Sequence, residues 1–289
     1  VAEVPLEGKR DDSSGDFDQS EPGDDETVPA KAAVRVRAPF SRAQNAIRSV
    51  ARRIDELKLH EISLSDGAVL ETGCVYIVPL QESLALPGEI SAAANPKSST
   101  GRLDVFTRVI ADETRGFDRV ETGYHGPLYA EISPRTFPAP VREGSRLSQI
   151  RFRRGHALLA AQALRELHAR ERLVDSDKAD VSEGVAVGVD LSGLGPNGLV
   201  GYRAKRHTGL IDVERRGGYA VLDFWEPMQA RPDKSLILDP NEFYILASKE
   251  AVQVPPDYAA EMVPFDPLVG EFRVHYAGFF DPGFGYAGA

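Results

Sequence analysis

The feature that most limits what this chain can fold into is a weak internal repeat. The stretch through Val69, Leu70, Tyr76, Ile77, Glu82, Leu86, Pro87 and Ala92 lies over Ile237, Leu238, Tyr244, Ile245, Glu250, Val254, Pro255 and Ala260 at a constant offset of 168 residues, which Pro96 and Pro264 keep. Further on, Phe117-Asp118 matches Phe280-Asp281 at an offset of 163, which implies a shorter loop in the second copy. Short apolar patterns are degenerate, so chance is the competing explanation. The simplest reading is two related β-rich units in one chain.

Around this repeat the chain divides into four stretches. Residues 1–32 are acidic, rich in Ser, Gly and Pro and without apolar periodicity, so they cannot bury enough surface to offset their ordering entropy and are expected to be disordered. Residues 33–173 form the first copy, 174–199 a linker rich in Asp, Ser and Gly, and 200–289 the second copy. Ala43, Ile47, Val50, Ile54 and Leu57 recur at helical spacing and predict an amphipathic helix from Ser41, its N-cap, to Leu59. Ala157, Ala160, Ala161, Leu164 and Leu167 predict a second helix over about His156–Leu173. Elsewhere β-branched and aromatic residues between Gly and Pro punctuation predict strands.

The formal net charge is -10, with 44 acidic against 34 basic residues, which argues against a general nucleic-acid binder. A local basic pocket remains compatible with that balance. Cys74 is the only cysteine, so neither an internal disulfide nor a zinc site built on paired cysteines can form. His125, His156, His207 and His275 are scattered without metal-ligand spacing, and no protein-held metal is expected. No apolar run approaches a membrane span and no signal peptide is visible, so a cytoplasmic setting is the expectation. The chain opens on Val1 and stops at Gly285-Tyr286-Ala287-Gly288-Ala289, in what reads as mid-hairpin, so both ends are expected to be cut.

Two stretches of the first copy carry chemistry. Pro96-Lys97-Ser98-Ser99-Thr100-Gly101-Arg102 gathers hydroxyls, a glycine and a guanidinium suited to an oxyanion, although a solvated Ser-rich turn has the same composition. Downstream, a strand beginning near Pro127 puts Tyr129 and Glu131 on one face. A carboxylate among apolar strand neighbours has a raised pKa, as general acid/base work near neutral pH requires; a surface strand glutamate is the competing reading. Lys205-Arg206-His207 is a short basic run on a predicted strand, either a solvated edge or a triphosphate contact.

These residues carry a family resemblance. Ser98-Ser99-Thr100-Gly101-Arg102 resembles the Ser-Ser-x-x-Arg motif of the dCTP deaminases, relatives of the trimeric dUTPases. The Gly123-Tyr124-His125-Gly126 segment leading to Ala130-Glu131 is similar to the family's Gly-x-x-Gly turn and the strand holding its catalytic glutamate. Gly144-Ser145-Arg146-Leu147-Ser148-Gln149-Ile150 is similar to its later Gly-x-x-x-x-Gln strand motif. The wider phrasing, through Tyr202–Gly209 and Asp266–Glu271, resembles the longer bacterial branch with two copies per chain.

The resemblance implies a mainly β chain: two dUTPase-like distorted β-barrel copies with a few short helices, assembled as a trimer-based homo-oligomer with active sites between subunits. It implies hydrolytic deamination of dCTP to dUTP and ammonia, with Glu131 as general base activating a water, without zinc; the His-x-Glu and Pro-Cys-x-x-Cys elements of the zinc enzymes are absent. Ser98, Ser99 and Arg102 would hold the water, the surroundings of the base and the phosphates; Asp118 would bond the deoxyribose 3′-hydroxyl; Tyr129 and Gln149 would line the nucleotide site. Mg2+ would arrive with the triphosphate. Feedback by dTTP belongs to the same picture.

The second copy departs from the pattern. The residues matching Ser98, Ser99 and Arg102 are Asp266, Pro267 and Gly270, so the phosphate contacts are lost there. It keeps Phe280-Asp281-Pro282-Gly283, closer to the family's Asp-Pro-Gly hairpin than the first copy, so Asp281 is a candidate contributor to a shared site. The family's C-terminal tail of Tyr, Lys and Gln and its Pro-x-Ser-x-Asp opening are not found, which predicts a folded, weakly active chain. The rival readings are a dUTP pyrophosphatase, a bifunctional enzyme taking dCTP to dUMP, and a non-catalytic nucleotide-binding or assembly protein.

Overall fold

The structure, a computed structural model, describes residues 2–3, 32–36, 49–112, 114, 116–155, 158–263 and 279–286. Most of the acidic opening segment lies outside them, as do Ser41, Ala43, Ile47, His156, Ala157, Asp266, Pro267, Gly270 and His275.

In chain order, β1 (Ala2–Glu3) lies in the opening segment expected to be disordered and pairs with Ala259 and Ala260 of the second copy. It is followed by β2 (Ala32–Val36), α1 (Val50–Leu57), β3 (Lys58–Ser63), β4 (Ala68–Leu70), β5 (Val75–Ala85), β6 (Ile90–Pro96), α2 (Ser98–Gly101), β7 (Val105–Ala111), β8 (Arg119–Val120), β9 (His125–Pro134), β10 (Ala139–Val141) and β11 (Ser148–Arg154). Then come α3 (Ala161–Glu171), β12 (Leu199–Ala204), α4 (Val221–Phe224), β13 (Trp225–Gln229), β14 (Tyr244–Leu246), β15 (Ala259–Glu261) and β16 (Phe279–Phe280). The described residues are mainly β, with four short helices, as the sequence leads one to expect.

The largest sheet has the order β3-β2-β5-β9-β7, antiparallel throughout. Strand alternation sends Ala130 and Ile132 of β9 to one face, where they join Tyr76, Val78, Leu70, Val141 and Leu147. Tyr129 and Ile77 point to the other, with Val34, Val36 and Ile110. Val50 and Ile54, one helical turn apart, bring α1 onto that second face. The predicted helix runs to Leu59, but the chain turns extended at Lys58, where β2 offers a free edge for pairing up to Ser63.

The repeat is visible in the hydrogen bonds. Tyr76 Oη accepts the Glu71 N–H at 3.0 Å, and Tyr244 Oη accepts the Asp239 N–H at 2.9 Å, both pairs keeping the 168-residue offset. Arg35 pairs with Tyr76 across β2 and β5, and Arg203 pairs with Tyr244 across β12 and β14. The Ile90 N–H donates to Pro87 O at 3.0 Å and the Tyr258 N–H to Pro255 O at 2.9 Å.

The hairpin match shifts, however. The Leu86 N–H donates to Tyr124 O and the Val254 N–H to Phe284 O, each at 2.8 Å, so Phe284 occupies the place of Tyr124. The turn behind each is closed the same way, Tyr124 N–H to Glu121 O and Phe284 N–H to Asp281 O. Asp281 therefore takes the place of Glu121, not of Asp118 as the Phe-Asp dipeptides suggest.

The copies are packed together. Phe137 of the first is fully buried among Ala204, Ile211, Phe224 and Trp225 of the second, meeting Phe224 and Trp225 edge-on at 5.8 and 5.5 Å. Helix α3 buries Leu164 and Leu167 with Leu173 against Val185 and Tyr258, and Gln253 Nε2 donates to Glu171 O at 2.7 Å. The sequence reading assigns this helix to the first copy; it packs against Val185 of the stretch read as linker and Tyr258 of the second copy.

Candidate active site

Glu131 sits in the middle of β9, in register with Ile77 on one side and Arg108 on the other. It is 4% exposed, the only acidic residue besides Asp104 among the described buried positions. A buried carboxylate requires a partner, and β7 supplies it. Arg108 donates to Glu131 Oε1 from Nε at 3.1 Å and again, in a shorter bond, from a terminal guanidinium nitrogen. The guanidinium lies over the Phe117 ring at 3.5 Å and near that of Phe106 at 4.9 Å. The purely apolar surroundings expected for Glu131 are therefore not what it meets. Both bonds fall on Oε1, leaving Oε2 without a hydrogen-bond donor among the described residues.

Asp118 lies beside this pair. Its backbone is in the left-handed region, φ 60°, which aspartate tolerates better than most residues. Its N–H donates to Val109 O and its Oδ1 accepts the Val109 N–H, each at 2.8 Å, so Asp118 clamps the edge of β7 through both main chain and side chain. Burial pushes its carboxyl up to about 6, with the charges of Glu131 and Glu261 adding to the effect; the Val109 N–H and Arg108 oppose it.

Ser98, Ser99 and Arg102 form a second group, on α2 and the residue after it. Ser98 and Arg102 are exposed, and Arg102 Nε donates to Ser98 O at 3.3 Å. Thr100 between them is fully buried and donates to Leu147 O at 2.9 Å, which anchors α2. No hydrogen bond or ion pair joins Ser98, Ser99 or Arg102 to Glu131 among the described residues. Gln149 pairs in register with Asn95 across β11 and β6. Tyr129 is buried in the core beneath α1 and does not line an open site. Asp281 is exposed at its turn.

Two contributors escaped the sequence reading. Arg108 is a lone cation in the apolar run Val105–Ala111, a signal that could have been noticed. Glu261 of the second copy accepts from Asn95 Nδ2 at 2.9 Å and forms 3.5 Å ion pairs with Arg151 and Arg153, while Arg151 also bonds Asn95 and lies over Phe279 at 3.7 Å. Nothing in the sequence marks that cross-copy contact. The basic run fares differently: Lys205 Nζ donates to Leu222 O and Arg206 pairs with Glu242, each at 2.6 Å, so both cations are engaged within the second copy. Among the described residues no group of His, Cys, Asp and Glu is arranged to hold a metal ion, and no helix is long and apolar enough to cross a membrane.

Comparison with known proteins decides the family. The family model for the 2'-deoxycytidine 5'-triphosphate deaminase N-terminal domain matches residues 18–156, and that for the C-terminal domain of the same deaminase matches residues 160–289. Among solved structures, the 2'-deoxycytidine 5'-triphosphate deaminase from Agrobacterium tumefaciens is 62% identical, with a TM-score of 0.84 over 89% of this chain and 74% of that one. The chain belongs to the dCTP deaminase family. No curated protein matches it. The family's C-terminal model begins just before α3, in keeping with the contacts of that helix with the second copy. The mainly β fold is thus that of a dCTP deaminase.

Proposed function

We propose that the protein hydrolyses dCTP to dUTP and ammonia with Glu131 as general base. The observation that carries this reading is a buried carboxylate held through one oxygen by Arg108, with the other oxygen open to take a proton. Oε2 accepts a proton from water as the water oxygen bonds to C4 of cytosine. The resulting tetrahedral carbon then expels the amino group, which leaves as ammonia once that proton has been passed to it, and with the hydroxyl proton moving to N3, C4 becomes the uracil carbonyl carbon. Arg108 fixes the carboxylate orientation throughout, which keeps the base aligned without being consumed.

Ser98, Ser99 and Arg102 hold the phosphates and the attacking water. As in the family the chain resembles, the site is completed between subunits of a trimer-based homo-oligomer. The sugar contact falls to Glu121, the place that the Asp-Pro-Gly hairpin aspartate occupies in the repeat, while Asp118 serves as the clamp on β7. Magnesium accompanies the triphosphate, and feedback by dTTP belongs to the same reading.

Product analysis tests the reading. Incubation with dCTP and Mg2+ is expected to give dUTP with equimolar ammonia and no pyrophosphate. Pyrophosphate from dUTP would instead make the protein a dUTP pyrophosphatase, dUMP directly from dCTP a bifunctional enzyme, and binding without turnover a nucleotide-binding protein.

A further inference from the structure

The turn of the second copy that follows Ile211 is docked on the first copy. The Ile211 N–H donates to Pro138 O at 3.1 Å, Val213 is buried in the same core as Leu147 and Ile132, and Arg142 pairs with Asp212 at 2.5 Å and with Glu214 at 3.3 Å. Between this turn and the start of α2 lies a cleft of about 270 Å³ lined by Lys97, Ser99, Arg146, Val213, Glu214 and Arg216. That size falls just short of a whole small-ligand pocket, roughly 300 Å³ and upward, and suits one part of a nucleotide.

The charges of the cleft are unbalanced. Glu214 is engaged by Arg142, whereas Lys97, Arg146 and Arg216 have no ion-pair partner among the described residues. A comparable cleft around Arg203, Lys205 and Arg206 shows the opposite state: Arg203 pairs with Glu226 and Asp239, and Arg206 with Glu242. Three like charges held close together without counter-ions repel one another and call for an anion. The backbone of two of them is tied together. Leu147 O accepts both the Lys97 N–H and the Thr100 hydroxyl, each at 2.9 Å, which ties the Lys97–Ser99 segment to the residue that follows Arg146. The third comes from the docked turn, where the Arg216 N–H donates to Glu214 O at 2.9 Å; its neighbour Arg215 lies instead near the Tyr219 ring, at 5.1 Å.

We propose that Lys97, Arg146 and Arg216 form a polyphosphate site at the junction of the two copies, in which the second copy, despite having lost its own phosphate motif, lends Arg216 to the first within the same chain. The ligand is the triphosphate chain of the nucleotide; that identity rests on the deaminase reading, whereas the anion site itself does not. Arg216 is a binding residue that acts on ground-state affinity, so its loss moves KM and not kcat.

The test is calorimetric titration of the protein with inorganic tripolyphosphate, in parallel with dCTP kinetics, for wild type, Arg216→Ala, Arg216→Lys and Arg215→Ala. Arg216 is exposed, so its substitution does not threaten the fold. Wild type is expected to bind one tripolyphosphate per chain. Arg216→Ala should weaken it about tenfold to a hundredfold, the scale of a hydrogen-bonded charge contact, and raise the KM for dCTP by a similar factor. Arg216→Lys should recover part of the loss, and Arg215→Ala should behave as wild type. Equal tripolyphosphate affinity in wild type and Arg216→Ala would overturn the proposal, even with deamination intact. Arg216-dependent binding in a protein that releases no ammonia would uphold the site and sink the deaminase reading alone.

Discussion

Arg108 and Glu131 face each other across β7 and β9, and the guanidinium closes on a single carboxylate oxygen of a glutamate that is almost wholly buried. The pair ties the architecture of the large sheet to the candidate site: the register that seats Ile132 in the core also places Glu131 against Arg108.

Removing one member of such a pair leaves the other charge buried and uncompensated. Arg108→Met is therefore expected to destabilise the protein by about 3–5 kcal/mol, whereas Arg108→Met with Glu131→Gln should cost less than the single change. Urea unfolding of the two single variants and the double variant checks this. Strict additivity would mean that the pair contributes nothing to the fold.

Asp118 makes stability depend on pH in an unusual direction for an aspartate. Its carboxyl is raised to about 6 in the fold. Its contribution is therefore complete below the unfolded value, near 4, and is lost as pH rises through about 6. Asp118→Asn keeps the acceptor for the Val109 N–H and removes the charge. It should stabilise the protein at pH 8 by roughly 1–3 kcal/mol, since each tenfold change in proton affinity is about 1.4 kcal/mol, and the gain should shrink below pH 5. A gain independent of pH, measured by thermal melts across that range, would refute the assignment. Were Asp118 instead the sugar contact, the KM for dCTP would rise with the same substitution.

Phe137 joins the two copies, fully buried against Phe224 and Trp225. Phe137→Ala should cost about 3–5 kcal/mol, the usual range for deleting a buried aromatic ring. It should also weaken tripolyphosphate binding, because the turn carrying Arg216 loses its seat. Hydrogen exchange that rises in the Ile211–Arg216 segment before the rest of the chain would locate the effect.

What the sequence discloses here is local. The repeat through Tyr76 and Tyr244 is readable because each tyrosine closes the same loop five residues back, which ties it to a fixed spacing from its neighbours. The strand carrying Glu131 is readable from its alternation. Its partner is not, because the pairing of Arg108 with Glu131 depends on strand register, which residues 23 apart do not reveal. The mismatch of Asp118 with Asp281 has a similar cause: the dipeptides look alike, but the turn hydrogen bonds put Asp281 in the place of Glu121. The junction cleft was hidden for a third reason. Lys97 and Arg146 meet within the first copy through Leu147, and Arg216 joins them only when Val213 enters the first copy's core.

The most direct test of the account is ammonia release from dCTP with Mg2+ by wild type and Glu131→Gln, with both shown to be folded at the assay temperature. A glutamine side chain fills the same space but cannot accept the proton of the attacking water. A fall of at least about a hundredfold in kcat, the scale for losing a general base, is the predicted result. Ammonia release by Glu131→Gln within a few-fold of wild type would contradict the account, whatever the protein's family.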